Sequence, residues 1–263
     1  LNLRDIEQGL DQLNRLPSGN ATMDLEPGET LGGTVIRVTV PESKSWKASV
    51  GLDNLGQRST GQHQYSLSLS KDNFIGIGDQ FSFFWVEDLF VTNHEPFSSR
   101  KKHGGNSSFS GYMSVPYGYW TFSANISKFS YDTTIFGDFD DYSSSGDTEV
   151  FGVGLERVIH RDANGKTSLG LNLGRRQADS YIEGYRMDAS SYKLTTLQAS
   201  ISHSRRLLDG YASLSLSYTR GIPWIGATKD PGGPSNARTE FNKYSLNLSW
   251  YRPFQLGEQS LYY

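Results

Sequence analysis

Ten stretches of the chain alternate one apolar residue with one small polar residue, and the gaps between them run alternately short and long. The clearest are Tyr65-Ser-Leu-Ser-Leu-Ser70, Trp120-Thr-Phe-Ser-Ala-Asn-Ile-Ser127, Thr167-Ser-Leu-Gly-Leu-Asn-Leu-Gly174, Ala212-Ser-Leu-Ser-Leu-Ser-Tyr-Thr219 and Tyr244-Ser-Leu-Asn-Leu-Ser-Trp250. A period of two belongs to a strand with one wet and one apolar face. The polar faces here are Ser, Asn, Thr and Gly, which suit a watery lumen. The apolar faces carry Leu, Tyr, Phe and Trp, which suit lipid. Outer-membrane barrels pair short periplasmic turns with long external loops, so the gap rhythm points the same way. The expectation is an all-β chain forming an antiparallel transmembrane β-barrel.

A barrel spreads its membrane signal over every second residue, so a hydrophobic fraction of only 36% fits it, and no run approaches the ~18 apolar residues of a membrane helix. The 15 Tyr suit interfacial aromatic girdles. With no cysteine, disulfides and thiolate metal sites are excluded, and a net charge of −3 gives no reason to expect nucleic acid as a partner. Leu1-Asn-Leu-Arg-Asp5 is not a leader peptide, so an exported chain that opens this way reads as mature or as a fragment.

The first forty residues follow another rule. Leu3, Ile6, Leu10, Leu13 and Leu16 recur at helical spacing, Asn2 or Asp5 supplies a cap, and Pro17-Ser-Gly19 stops the run. Two short strands, 21–25 and 34–40, flank the turn sequence Pro27-Gly28-Glu29. One helix and one hairpin bury too little surface to stand alone. Residues 1–42 therefore read as the rear half of a small α+β domain, and 43–263 as the barrel portion.

Strands are expected near 46–53, 62–71, 80–91, 107–115, 119–131, 147–160, 166–178, 192–206, 211–221 and 238–252, with an eleventh beginning near 259. Short connections fall at 72–79, 116–118, 161–165, 207–210 and 253–258, and long polar ones at 92–106, 132–146, 179–191 and 222–237. With the first segment in the periplasm, every short connection is periplasmic and every long one external. Eleven is odd and a closed bacterial barrel is even, so the pattern reads as truncated at both ends.

Alternation also sorts side chains. Leu67, Phe122, Leu171, Leu214 and Leu246 are expected to face lipid; Ser66, Ser123, Asn172, Ser215 and Asn247 are expected to face the lumen. A charge at mid-bilayer on the lipid face costs roughly 2–4 kcal/mol, which sends in-strand charges inward or to an interface. Glu156, Arg176 and Arg206 share the Ser/Gly/Asn face and are expected in the lumen or at its mouth; Arg157, Arg175 and Arg205 fall on the other face near strand ends, within reach of headgroups. Two readings of the inward charges stay open, a solvated pore wall or anchors for a lumen loop.

Several stretches resemble the hemolysin-activator family of two-partner secretion transporters. The run from Leu1 to Pro17 is similar to the second helix of that family's last POTRA (polypeptide-transport-associated) domain, and Glu26-Pro-Gly28 to its end. Val50-Gly-Leu-Asp-Asn54 with Ser59-Thr-Gly61 resembles the first barrel hairpin, Asp72-Asn73 with Gly76 and Gly78-Asp79 its first periplasmic turn, and Val115-Pro-Tyr-Gly-Tyr-Trp120 a later turn. The resemblance implies an outer-membrane transporter with two POTRA domains and sixteen strands, passing one large unfolded β-helical hemolysin or adhesin to the surface without ATP. The family's Val-Arg-Gly-Tyr/Phe lumen motif and its acidic partner have no counterpart in the chain. The resemblance further implies that a POTRA strand edge receives the client, which here means Ala21, Thr22, Met23, Asp24 and Leu25, with Ala21, Met23 and Leu25 burying against Ile6, Leu10 and Leu13. A strand that merely packs the domain is the alternative.

Nothing in the sequence suggests an enzyme or a cofactor. His63, His94, His103, His160 and His203 never fall at metal-ligand spacing; Asp138, Asp140, Asp141 and Asp147 with Gly146 lack calcium-loop spacing; and His203 beside Ser202 and Ser204 is a chance pairing, since serine fills the inward positions. Three functions compete: a protein-translocating pore, monomeric, with a secreted client and with outer-membrane lipid and lipopolysaccharide as surroundings; a general diffusion porin, which leaves residues 1–40 without a use; and a soluble β-protein, which leaves the loop rhythm unexplained.

Overall fold

The computed structural model of the protein describes residues 2–30, 32–41, 43–57, 60–89, 105–230, 238–256 and 259–262. Helix α1 (Leu3–Asn14) starts where the Asn2 side chain accepts the Arg4 N–H at 3.1 Å. It ends two residues before the predicted limit, and Leu16 beyond it is buried. Strands β1 (Thr22–Pro27) and β2 (Thr34–Thr39) form an antiparallel pair, with Leu25 opposite Ile36 and Asp24 opposite Arg37.

The rest is a single antiparallel wall: β3 (Trp46–Asp53), β4 (Gln64–Asp72), β5 (Gln80–Asp88), β6 (Gly105–Tyr117), β7 (Trp120–Phe136), β8 (Asp141–Arg161), β9 (Gly165–Ile182), β11 (Tyr192–Leu207), β12 (Gly210–Ile222) and β13 (Asn242–Tyr251), each bonded to its neighbour in that order. A two-residue strand, β10 (Tyr185–Arg186), folds back on β9. Among the described residues β3 and β13 are the two edges and do not pair with each other. Buried apolar side chains are few there (Leu16, Ala21, Val158, Ala178 and Ile222), so the fold rests on its backbone ladder and not on a packed core.

Three expectations need correction. The segment 132–146 is not a long loop: β7 and β8 run on through it, pairing Asp132 with Ser145 and Thr134 with Ser143, and turn over residues 137–140. The consecutive residues Thr133-Thr134 and Ser143-Ser144-Ser145 carry no apolar alternation, yet the backbone ladder continues through them. Residues 179–182 likewise belong to β9. The strand near 259 does not extend the wall; β15 (Gln259–Tyr262) pairs with β14 (Pro253–Leu256) as a separate hairpin. Most of the loop expected at 92–106, with His94 and His103, lies outside the described residues, as does much of 222–237.

At one end of the wall the hairpins are tight. Residues 118–119, 162–164 and 208–209 suffice for three of them. Leu208 and Asp209 both have positive φ, 51° and 57°, the pair of left-handed residues that a two-residue turn needs to match strand twist. The fourth, between β4 and β5, is organised by Asp79, whose carboxylate accepts the N–H groups of Phe74 and Ile75, both at 2.9 Å. Burial by itself would raise that carboxyl's pKa, but the converging backbone donors prevail and hold it below the ordinary carboxylate value.

Candidate functional site

The tight-turn end of the wall carries helix α1. Gln8 and Gln12 both donate to the Gly118 carbonyl at 3.2 Å. Arg15 reaches further, donating to Ser114 Oγ at 2.6 Å and to the Gly78 carbonyl at 2.8 Å. From the wall side, Arg161 at the end of β8 donates to Asp11 at 2.6 Å and to Gln8 Oε1 at 3.1 Å, with Glu7 at 3.8 Å. Its side chain is only 15% exposed. Tyr119 OH donates to Asp5 at 2.6 Å, and this bond, ahead of desolvation, raises the tyrosine's pKa. Beyond the helix, the Ser18 N–H donates to the buried Asp72 at 2.9 Å. The helix and its C-terminal cap are thus tied to the turns 73–79 and 118–119 and to the strand end that precedes turn 162–164, almost wholly by polar side chains.

The five candidate client-binding residues occupy β1 and its lead-in. Ala21 is buried, Met23 half-buried, and Thr22 and Asp24 exposed, in the expected alternation. Leu25 departs from expectation: it is 54% exposed and does not bury against the helix. The contact that joins strand to helix is instead Asn14, whose side-chain amide donates to the Ala21 carbonyl at 2.9 Å and accepts the Ala21 N–H at 2.7 Å. Among the described residues the second edge of β1 has no strand partner.

Strand registers sort the wall residues into two continuous faces. Leu67 pairs with Trp85, Phe122 with Leu155, Leu155 with Leu171, and Leu214 with Leu248, with Leu246 two residues along from Leu248. Paired residues share a face, so all five leucine and phenylalanine candidates lie on one side. Ser66, Ser123, Glu156, Asn172, Arg176, Arg206, Ser215 and Asn247 lie on the other, together with Gly154 and Gly170. The glycines leave room for neighbours: a Cβ on Gly154 would stand 2.4 Å from Asn172 Oδ1. The small-polar face also carries Phe84, Tyr112 and Phe129, all more than a third exposed, which the alternation argument passed over.

The apolar side forms a band that drifts across the sheet. The hydrogen-bonded row through Leu67 runs on to Trp85, Phe109, Lys128, Glu149 and Gln177, turning polar partway; Lys128 and Glu149 pair at 2.9 Å. By β9 the apolar residues are Leu169, Leu171 and Leu173. Their centre, Leu171, lies six residues from Gln177 after five strand-to-strand steps. At about 3.3 Å per residue and 4.8 Å between strands, this drift sets the strands about 40° from the normal of the band. Transmembrane barrels tilt by roughly 35–45°.

Other chemistry does not assemble. His203 Nδ1 bonds Thr167 Oγ1 at 2.9 Å, not either flanking serine. Asp141 and Asp147 are strand residues and Asp138 and Asp140 turn residues; no group of three or more metal-ligating side chains occurs among the described residues. Sequence reasoning missed Gln8, Asn14, Arg15 and Arg161. Their one advance signal was that each interrupts or flanks a pattern without serving it.

Residues 32–263 match the family model for haemolysin secretion/activation protein ShlB/FhaC/HecB, and residues 1–27 match a POTRA-domain model. The outer membrane transporter CdiB of Dickeya dadantii is 34% identical over 96% of the chain and 44% of its own length; the hemolysin transporter ShlB of Serratia marcescens is 32% identical over 98% of the chain and 44% of its own. The solved structure of CdiB from Escherichia coli superposes with a TM-score of 0.85 at 32% identity, covering 97% of the chain and 46% of that protein. The chain spans less than half the length of these relatives.

Proposed function

Because the chain belongs to the haemolysin secretion/activation (ShlB/FhaC/HecB) family, we propose that it supplies the receiving end and the first part of the wall of an outer-membrane pore that exports one large secreted protein. The observation that carries this reading is the attachment of a POTRA-like helix and its cap to the turns and strand ends at one end of a wall with one apolar and one small-polar face. A diffusion porin has no use for such an attachment. We place the boundary between the two parts near residue 43, the N-terminal part in the periplasm and the tight turns on that side.

The apolar face, with Leu67, Phe122, Leu171, Leu214 and Leu246, is assigned to lipid, and the face with Ser66, Ser123, Glu156, Asn172, Arg176, Arg206, Ser215 and Asn247 to the lumen. Two observations support the assignment. Leu171 is 48% and Leu246 66% exposed, a continuous apolar surface that a soluble protein would have to cover. The drift of the band also fits strands tilted through a bilayer. The client is a secreted protein, a reading supported by the relatives named as hemolysin transporters, ShlB of Serratia marcescens and HpmB of Proteus mirabilis.

Transport is stepwise handover without group chemistry. Beyond Ala21, whose N–H and C=O are both held by Asn14, the exposed edge of β1 from Thr22 to Leu25 offers backbone groups to an extended segment, and the attached wall accepts that segment into a lumen of Ser, Asn and Gly that gives it no adhesive surface. Deleting the full-length transporter gene in its host tests the reading: loss of one large secreted protein from the culture medium, restored by the gene, supports it, and an unchanged set of exported proteins sinks it. Within that assay Asp24→Pro, which removes a backbone donor, is expected to lower export while the wall still inserts. Normal export by a folded variant would clear β1 of the role.

A further inference from the structure

A second site lies at the corner between the helix and the outside of the wall. Asn2 and Arg4 of α1 and Tyr119, Arg157, Val158 and His160 of the wall line a recess of about 440 Å³. Its frame is fixed: Tyr119 OH holds Asp5 in the first helical turn, and the Tyr119 carbonyl accepts the Val158 N–H at 2.9 Å. Arg157 stands on the apolar face between Trp120 and Leu169, two residues beyond Leu155, where the band ends on β8. Its guanidinium lies over the Trp120 ring, 4.8 Å from the centroid.

Among the described residues, the recess leaves two of its cations without an ion pair. Every nearby carboxylate is engaged: Asp5 by Tyr119, Glu7 by Arg161, and Asp162 by the N–H groups of Asn164 and Gly165 at 2.8 and 2.7 Å, with His160 at 3.5 Å. Among the described residues, neither Arg4 nor Arg157 has a carboxylate or carbonyl partner for its guanidinium. Two guanidiniums without an ion-pair partner, one from each part of the molecule, therefore line a recess at the margin of an apolar band, beside a tryptophan of the kind that settles at headgroup depth.

We propose that this recess binds one anionic glycerophospholipid of the periplasmic leaflet, its phosphodiester held between Arg4 and Arg157 and its first methylenes lying along Trp120, Leu155 and Leu169. The lipid then bridges helix and wall, adding a membrane contact to the polar clamp. The proposal rests on the assignment of the apolar face to lipid. Lys128, Arg175 and Lys193 make a second basic margin at the opposite end of the band, but there Lys128 is paired with Glu149, and Asp179 stands near Lys193.

Native mass spectrometry of the full-length protein in neutral detergent tests it, with phosphatidylglycerol, phosphatidylcholine or inorganic phosphate as the added probe. Wild type is expected to retain one phosphatidylglycerol after delipidation and to hold it at least tenfold more tightly than phosphatidylcholine, since basic clusters select net negative headgroups. Arg4→Gln with Arg157→Gln together are expected to abolish that preference, and Arg157→Lys to keep most of it. An unchanged preference in the double variant overturns the site. Equal retention of the two lipids shows only an apolar annulus and also overturns it, and displacement by inorganic phosphate at equal concentration overturns the choice of a lipid. Heat-modifiable gel migration reports whether each variant's wall is folded; if the double variant is not, Arg4→Gln alone, lying outside the wall, decides. Wild type that stays soluble without detergent and ignores vesicles would count against the lipid-facing assignment itself.

Discussion

The wall and the helix junction are held by opposite kinds of interaction. In the wall the backbone ladder does the holding, and side chains need only respect a two-residue alternation: Ser for Asn or Leu for Phe preserves the arrangement. At the junction no ladder connects the parts. Attachment depends on particular atoms, Arg161 with Asp11 and Gln8, Arg15 with Ser114 and the Gly78 carbonyl, Gln8 and Gln12 sharing the Gly118 carbonyl. A region built on a repeat tolerates substitution and propagates cooperatively. A region built on single contacts can be released while the rest stands.

The strongest way to break this comparison is to put a charge on each face of one strand. Leu171→Arg is expected to destabilise the bilayer-inserted protein by about 2–4 kcal/mol, the cost of a cation facing lipid near mid-depth. Asn172→Arg, one residue along and on the opposite face, is expected to cost less than about 1 kcal/mol, because a lumen side chain stays in water. Reversible denaturant unfolding from lipid vesicles measures both. The reverse order would mean that the two faces are exchanged, and equal costs would mean that neither meets lipid.

A smaller effect is expected from Arg161→Ala, and it should be confined to the junction. The side chain is mostly buried, but Asp11 and Glu7 are 43% and 32% exposed, so solvent screens part of the interaction and a loss of about 1–2 kcal/mol is the appropriate scale. Hydrogen exchange should speed up in α1 and leave β7, β8 and β9 unchanged. Unchanged exchange in α1 would show that Arg161 is not the clamp, and loosening of the three strands would show that junction and wall are one cooperative unit.

These two kinds of region also differ in how far sequence reveals them. Period two gave the strands because the ladder imposes it: the residues around Leu67, Phe122, Leu171, Leu214 and Leu246 could be placed on a common side before any register was known. Where alternation lapses, at 132–146, Ser143, Ser144 and Ser145 look like loop residues by composition yet pair with Thr134, Thr133 and Asp132. Composition marks where a strand leaves an apolar environment, not where its ladder ends. The junction was nearly illegible. Arg161 and Asp11 are partners across a separation of 150 residues, and nothing local in either sequence announces the other. Leu25, which helical and strand periodicity together placed in a core, is exposed because it sits opposite Ile36 in a two-stranded ribbon that the helix does not cover at that point.

The smallest expected effect probes a turn where the two regions meet. Arg15 of the helix donates to the Gly78 carbonyl, and the next residue, Asp79, shapes that turn through the N–H groups of Phe74 and Ile75. These donors favour the carboxylate, so the folded pKa lies below the unfolded value of about 3.9. A depressed folded pKa stabilises the protein above the unfolded pKa, and the contribution is lost as pH falls through the folded one. Asp79→Asn keeps the shape and one acceptor oxygen but removes the charge, and is expected to cost about 1 kcal/mol near pH 7. Unfolding midpoints of wild type and variant should therefore stay a constant distance apart from pH 7 down to about pH 5 and converge as pH drops below the unfolded carboxylate value of about 3.9. Convergence would assign the turn's stability to the ionised carboxylate. A gap that persists through pH 2 would assign it to shape alone, and would place this turn with the pattern-held wall instead of the contact-held junction.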